Sequence, residues 1–156
     1  MLEVSHAAAE GGKTIGFIDN GDWISFQPYR LDNATLFTAW VASAGPGGTI
    51  EIRVGSLAGT LLGSVAVPVT GSWETFTTVS TAISGAPAAT AQLYLVFKGN
   101  GVSLFDVDAF TFTTGAVALK ALANGRYVVA ENAGASSLIA NRTAIGPWEE
   151  FTLTET

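Results

Sequence analysis

The stretch QLYLVFK, residues 92–98, decides the fold class of this chain. Its apolar residues Leu93, Leu95 and Phe97 stand at every second position. In an extended strand that spacing places them on one face, so they can pack on a core while the other face meets water. Residues 49–54, TIEIRV, show the same alternation. Strands of this kind predict an all-β protein in which two sheets pack face to face.

The rest of residues 1–115 has the same organisation. Runs of β-branched and aromatic residues are separated by Gly, Pro, Asn and Asp clusters, at the spacing of a β-sandwich. No segment there has the 3.6-residue apolar period of an amphipathic helix. The turn residues 19–22, DNGD, lie between the first two runs and predict a hairpin. The predicted strands are 14–18, 23–26, 35–42, 49–54, 61–67, 73–79, 92–98 and 103–112.

Composition and charge exclude several classes of function. The 156 residues include 7 basic and 13 acidic side chains and no Lys/Arg cluster, so nucleic acid and anionic membrane surfaces are poor partners. No apolar run is long enough to cross a bilayer. The absence of Cys excludes disulfides, thiolate nucleophiles and Cys-based zinc sites. Because His6 is the one histidine, neither a Ser-His-Asp triad nor a two-His metal site is expected.

The carboxylates do not form a recognisable catalytic set. Hydrolysis of a glycosidic bond requires two carboxyl groups across a cleft, and Asp106 and Asp108 are the most suggestive pair, since i, i+2 residues share a strand face. At the end of a weakly charged strand, such residues more often bind a cation, accept bonds from loop amides or face a ligand. Asp19 and Asp22 are explained by turn chemistry. A small hydrolase is therefore the least favoured hypothesis, and no enzymatic activity is expected.

The aromatic residues carry more information about function. Trp40, in LFTAWVA, has the apolar neighbours of a buried or half-buried strand position, and packing in the core is the favoured interpretation. Trp73 follows Gly71-Ser72, and Phe17 precedes a turn, so both rings are expected near loop ends. Such rings either cover the core or present flat faces on which a pyranose can pack, while its hydroxyls bond nearby polar groups.

Three segments taken together resemble a known family. They are IGFIDNGDWISF (residues 15–26), VPVTGSWETFTTVS (67–80) and VSLFDVDAFTF (102–112). Over residues 3–113 the chain resembles the family 6 carbohydrate-binding modules. The resemblance implies a jelly-roll β-sandwich without catalytic activity, which binds a polysaccharide or oligosaccharide as the accessory module of a secreted bacterial glycoside hydrolase. The location implied is extracellular, and the ligand expected is a β-glucan such as β-1,3-glucan.

The resemblance also assigns residues to two binding places. In the cleft among the loops, Phe17 matches the first clasping ring, Trp73 the second ring and Asp106 the polar residue between them. Glu3 matches the acidic residue that opens the family's second segment, and it is counted with the carbohydrate-binding residues. Phe17 lacks the hydroxyl of the more usual Tyr, and Asp106 stands where Asn is common, so it can only accept hydrogen bonds while ionised.

The second binding place and a metal site follow from the same resemblance. Trp23 matches the ring of a site on the concave face of a sheet, with Lys98 as its polar neighbour. The family's structural calcium uses acidic side chains of an N-terminal segment together with the residue matched by Asp108. Only that one side-chain ligand is present here, so structural Ca²⁺ would need oxygen donors from elsewhere.

The tail, residues 116–156, has a different character. Hairpin signals occur at Asn124-Gly125 and at 132–134. The runs NGRYVVAEN, SLIANR and IGPWEEF resemble one repeat of the bacterial fascin-like β-trefoil proteins, which implies a trefoil-like segment of four short strands. The predicted organisation is a sandwich over 1–113, a junction at 114–115 and this repeat. Since a trefoil has three repeats, the alternative function is a structural or engineered fragment or chimera that self-assembles through the tail, for example as a trimer. Addition of its strands to the sandwich is a further option.

Overall fold

A computed structural model describes residues 1–115, 119–131, 135–146 and 148–151. The chain folds as two compact units, Met1–Thr113 and Thr114–Thr156. Almost all regular structure in the described residues is strand, and a 3-10 turn lies at Glu10–Gly12. No helix in these ranges has the length and apolar character needed to span a membrane. The all-β prediction is confirmed.

Two antiparallel sheets build the first unit. The five-stranded sheet has the order β1-β2-β9-β4-β7, and the four-stranded sheet has the order β3-β8-β5-β6. The strands are β1 (Leu2–Ser5), β2 (Lys13–Gly16), β3 (Trp23–Arg30), β4 (Ala34–Ala42), β5 (Gly48–Val54), β6 (Thr60–Val67), β7 (Phe76–Ala82), β8 (Thr90–Lys98) and β9 (Asp106–Thr114). Of these, β1 lies outside every strand predicted from the sequence.

The core lies between the sheets and follows the alternation seen in the sequence. Ile50 of β5 pairs with Phe97 of β8, and Ile52 pairs with Leu95. All four side chains are fully buried. Phe97 also meets Phe105 edge to face, with ring centroids 5.6 Å apart. The predicted inward face of these two strands is therefore confirmed.

The predicted hairpin at residues 19–22 is wrong. β2 pairs with β1 and β9, whereas β3 pairs with β8 in the other sheet, so the turn crosses between sheets. The Asp19 carboxylate accepts a hydrogen bond from the Ser103 amide at 2.8 Å, and the Gly21 amide donates to the Phe97 carbonyl at 2.9 Å. The turn is thus held by the β8–β9 connection. Its local chemistry is as predicted, because Asp22 Oδ2 accepts from the Asp19 amide at 3.0 Å.

The predicted core position of Trp40 is also wrong. Its neighbours Ala39 and Val41 are buried, so strand alternation directs Trp40 to the outer face of β4, where it is 37% exposed. The core ring of this strand is the fully buried Phe37. Trp40 instead lies nearly parallel to Phe76, with an interplanar angle of 12° and centroids 6.3 Å apart.

The second unit contains a small antiparallel pair in its described residues. β10 (Tyr127–Val129) pairs with β11 (Ile139–Arg142), with a register shift after Tyr127. The predicted turn at Asn124-Gly125 is present: Gly125 has a φ of +65°, and Asn124 Oδ1 accepts a hydrogen bond from the Arg126 amide at 3.0 Å. The second predicted turn, at 132–134, lies outside the described residues.

Candidate functional site

A cavity of about 160 Å³ lies among the loops at one end of the sandwich. Three residues that sequence reasoning placed together, Phe17, Trp73 and Asp106, all line it. Phe17 lies between β2 and β3, Trp73 lies between β6 and β7, and Asp106 begins β9. The remaining lining residues are Val4, His6 and Ser103. We call this cavity the loop cleft.

The two rings of the loop cleft are held by unusual backbone. Phe17 has a φ of +51°, in the left-handed region that side chains avoid, and its ring is 57% exposed. Trp73 is half-buried and follows a turn at Gly71, whose φ is +84°. The carbonyl of Ser43 anchors that turn by accepting hydrogen bonds from the amides of Thr70 at 2.8 Å and Gly71 at 3.0 Å.

Asp106 is buried at the cleft, with 3% of its surface exposed. Its Oδ2 accepts a hydrogen bond from the Thr14 hydroxyl at 3.0 Å and lies 2.8 Å from Nε2 of His6. Gly16 makes room for this carboxylate, because a Cβ there would stand 2.7 Å from Oδ1. Burial raises the pKa of Asp106, and the bond from Thr14 and the neighbouring His6 oppose that shift.

His6 is the cleft residue that sequence reasoning missed. Its Nδ1 lies 2.9 Å from Oε1 of Glu74, and its Nε2 is close to Asp106 without the alignment of a hydrogen bond. The bond to Glu74 raises the pKa of His6, and the charges of both carboxylates add to this shift against the effect of burial. The hydrogen bond from the Ala8 amide, followed by the bond to His6, lowers the pKa of Glu74. The His6 ring lies between two carboxylates and therefore links both sides of the cleft.

Glu3 does not line the loop cleft. Its carboxylate is largely exposed and lies 2.5 Å from Nζ of Lys13. Alternation along β1 explains this position, because Val4 lines the cavity and the adjacent Glu3 must face the other side. The same alternation was the available signal for His6, which stands two residues after Val4.

The residues assigned to a concave-face site lie on the outer face of the four-stranded sheet. Trp23 is 44% exposed, and its ring centroid is 5.7 Å from that of Tyr94. Trp23 pairs with Val96, so Lys98, two positions farther along β8, shares that face. This surface is separate from the loop cleft.

Among the described residues, the acidic side chains do not assemble a calcium centre. Oδ2 of Asp108 accepts a hydrogen bond from the Glu10 amide at 2.8 Å. Over the described residues, no group of three or more His, Asp or Glu side chains is placed to hold a metal ion. Since Ca²⁺ requires six to eight oxygen ligands, Asp108 alone does not meet the requirement. No binding step is assigned to calcium.

Comparison with known proteins identifies the family. Residues 2–114 match the model of the carbohydrate binding module (family 6). The chain belongs to this family. Family 6 modules are non-catalytic carbohydrate-binding domains, and this chain is accordingly a binding module and not an enzyme. The match confirms the resemblance for the sandwich, while the trefoil-like repeat of the tail stays a prediction.

Solved structures of family 6 modules share the fold of this one. A module from Clostridium cellulolyticum in complex with xylose is 39% identical, with a TM-score of 0.65, over 72% of this chain and 85% of the other. A β-1,3-glucan-binding module from Bacillus halodurans is 43% identical, with a TM-score of 0.60, over 65% of this chain and 76% of the other.

Curated relatives carry the module as a small part of a larger enzyme. An arabinoxylan arabinofuranohydrolase of Bacillus subtilis is 40% identical over 99 residues, which are 62% of this chain and 19% of the enzyme. An endo-1,4-beta-xylanase A of Thermoclostridium stercorarium is 40% identical over 104 residues, which are 66% of this chain and 19% of the enzyme. The family 6 match thus spans about a fifth of these relatives.

Proposed function

We propose that this module binds a β-glucan, specifically β-1,3-glucan, in the loop cleft. The observation that carries the proposal is the convergence of Phe17, Trp73 and Asp106 on one cavity from three separate parts of the chain. Two rings and a buried carboxylate form an apolar pocket with a few convergent polar groups, which is the usual composition of a small-ligand site.

Each cleft residue has a defined role in this proposal. The faces of Phe17 and Trp73 pack against the C–H groups of one pyranose ring. Asp106 accepts hydrogen bonds from sugar hydroxyls, and Oδ1 is the oxygen not used by Thr14 and His6. His6 favours the ionised form of that carboxylate, against the effect of burial, and lies 2.8 Å from it. No bond of the sugar is broken.

The choice of glycan rests on the relatives. The Bacillus halodurans module binds β-1,3-glucan, and the C-terminal module of a laminarinase from Zobellia galactanivorans, 30% identical, has the same fold at a TM-score of 0.59. The Clostridium cellulolyticum module was solved in complex with xylose, so xylan is the competing ligand. The same relatives support an extracellular location, as an accessory module of a secreted polysaccharide-degrading enzyme.

A second proposed property concerns the tail. Leu138, Ile139 and Trp148 are 57%, 43% and 50% exposed, an unusual density of exposed apolar surface for about forty residues. A single trefoil-type repeat that associates with copies of itself would cover these side chains. Self-association through residues 116–156, with a trimer as the symmetrical solution, is therefore the assembly we propose.

The test of the glycan proposal is affinity electrophoresis of the intact chain in gels containing laminarin, xylan, hydroxyethylcellulose or agarose. We expect retardation by laminarin, and we expect Trp73→Ala to remove it. Leu57→Ala is the matched control, because Leu57 is 42% exposed in the β5–β6 turn and does not line the cleft. Retardation by xylan alone would overturn the choice of glycan. Full retardation of a folded Trp73→Ala chain would overturn the choice of site.

A further inference from the structure

A second cavity, of about 300 Å³, lies on the outer face of the five-stranded sheet. Trp40 of β4 lines it together with Thr38 of the same strand, Thr78 of β7, Thr111 of β9 and Glu10 of the 3-10 turn. We call it the Trp40 cavity. It is on the sheet opposite to that of Trp23, so it is neither the loop cleft nor the concave-face surface.

Trp40 is a well-supported ring at an exposed position. The indole lies nearly parallel to Phe76, and Phe76 does not line the cavity, so this support comes from outside it. A ring that packing already holds loses little rotamer freedom when a ligand covers it. Exposed indole in the middle of a sheet face is therefore available for contact at low entropic cost.

The surroundings of Trp40 indicate the chemistry of its ligand. Three threonine side chains and one carboxylate lie beside the ring, and Thr38 Oγ1 is already positioned by a 3.0 Å hydrogen bond with Ser80 Oγ. No lining residue is basic, which disfavours an anionic ligand. A flat aromatic face bordered by hydroxyls and a carboxylate suits a neutral polyhydroxylated ring, as in the loop cleft.

Ring contacts relate the Trp40 cavity to the loop cleft. His6, which lines the cleft, meets Phe76 edge to face with centroids 6.3 Å apart, and Phe76 lies parallel to Trp40 at the same centroid distance. Phe76 lines neither cavity, so the two are separate depressions related by two ring-to-ring steps. A glycan that occupies both must be long enough to cross the surface between them.

We propose that the Trp40 cavity is an additional carbohydrate subsite, which holds pyranose units of the same glycan chain whose other units occupy the loop cleft. This inference rests on the proposed glycan binding in the cleft. Because the second contact is made by an already bound chain, it contributes at high effective concentration and only when the chain is long enough to span both cavities.

The test is titration calorimetry of the intact chain with laminaribiose, laminarihexaose and laminarin. For Trp40→Ala we expect unchanged affinity for the disaccharide and a loss of about tenfold or more for the longer ligands. Trp40→Phe keeps a stacking ring and should restore most of that loss. Leu36→Ala is the matched control, because Leu36 is an exposed outer-face residue of β4 that does not line the cavity.

The possible outcomes separate this inference from the proposed function. Equal affinity of Trp40→Ala and the parent chain for every ligand overturns the Trp40 subsite, while loss of disaccharide binding in Trp73→Ala still supports the cleft. Unchanged disaccharide binding in Trp73→Ala overturns the cleft itself. A third outcome is that Trp40→Ala changes the sedimentation coefficient and leaves the affinity for every ligand unchanged. In that case a second copy of the chain covers the outer face of the five-stranded sheet, and the subsite is overturned.

Discussion

Nδ1 of His6 lies 2.9 Å from Oε1 of Glu74, across 68 positions of sequence. Glu74 is the residue after Trp73, so this contact ties the segment that follows β1 to the loop that carries the second cleft ring. The protonation state of one imidazole is thereby connected to the position of the Trp73 ring.

We expect glycan affinity and stability to fall as pH rises through the folded-state pKa of His6. The pKa of His6 is raised in the folded chain, so its stabilising contribution is fully present below the unfolded-state pKa and is lost as pH rises through the folded-state pKa. Thermal unfolding and titration calorimetry with laminarihexaose between pH 5.5 and 9 would measure this. His6→Gln should flatten both profiles, and profiles that stay parallel to those of the parent chain would refute the role of His6.

At acid pH we expect glycan affinity to fall as pH falls. The pKa of Glu74 is lowered, so its contribution is present above its unfolded-state pKa and is lost as pH falls through the folded-state value. Glu74→Gln should therefore remove part of the loss of affinity between about pH 5 and 3. Glu51→Gln is the matched control. The Glu51 carboxylate lies 3.0 Å from Nε of Arg53, on the other sheet. Equal acid sensitivity of the two variants would contradict the prediction.

Removing the buried carboxylate should cost stability as well as affinity. Asp106→Ala leaves the Thr14 hydroxyl without its acceptor and removes the carboxylate that lies 2.8 Å from Nε2 of His6, at a cost of about 1–3 kcal/mol in the free energy of unfolding. Asp106→Asn keeps one acceptor oxygen and should lose less. Urea denaturation monitored by tryptophan fluorescence gives both values. The interpretation fails if the two substitutions cost the same.

Substitution of a ring in the loop cleft should affect glycan binding, whereas substitution of a ring in the core should affect stability. Trp73→Ala should reduce laminarin affinity by about 2 kcal/mol, roughly thirtyfold, and leave the fold intact. Phe37→Ala removes a fully buried core ring and should destabilise the sandwich by about 3–5 kcal/mol. Parallel calorimetry and urea denaturation distinguish the effects. A destabilised Trp73→Ala chain would show that this ring covers the core.

A side chain at position 16 should displace residues that line the loop cleft. A Cβ there would stand 2.7 Å from Oδ1 of Asp106 and 2.8 Å from Cγ2 of Val4, so Gly16→Ala must displace one of them. We expect a loss of about 1–3 kcal/mol in stability together with weaker glycan binding. Titration calorimetry with laminaribiose tests the second part, and unaltered affinity would mean that Asp106 does not contact the sugar.

Exposed apolar side chains of the tail should govern association. Replacing Leu138, Ile139 and Trp148 together by Ser should shift the intact chain toward monomer in sedimentation velocity over a range of concentrations. Laminaribiose affinity should stay unchanged, because a single sugar contact gains nothing from multivalency. A parent chain that is monomeric at every concentration would exclude assembly through these residues.

The alternation of apolar residues was sufficient to predict most strands of the sandwich. Whether a residue such as Phe97 faces the core follows from its place in its own strand, which the sequence shows directly. The sequence could also predict cleft residues whose rings stand next to a turn, as Phe17 and Trp73 do. Local signals could not tell that the turn at 19–22 crosses between sheets, since its partner Ser103 is distant in sequence. Apolar neighbours likewise could not tell that Trp40 faces outward. His6 was missed because β1, whose alternation would have placed it beside Val4, was not predicted, and because both carboxylates near its ring are remote in sequence.

The bonds that shape the loop cleft join residues far apart along the chain. Thr14 and Asp106 are separated by 92 positions, and Asp19 and Ser103 by 84. Closing loops of this length costs chain entropy before any contact compensates for it, and long-range pairings of this kind slow the folding of β-sandwiches. The loop cleft therefore exists only when segments from both ends of the sandwich sequence have paired. A ligand that needs Phe17, Trp73 and Asp106 together would accordingly select the fully assembled sandwich.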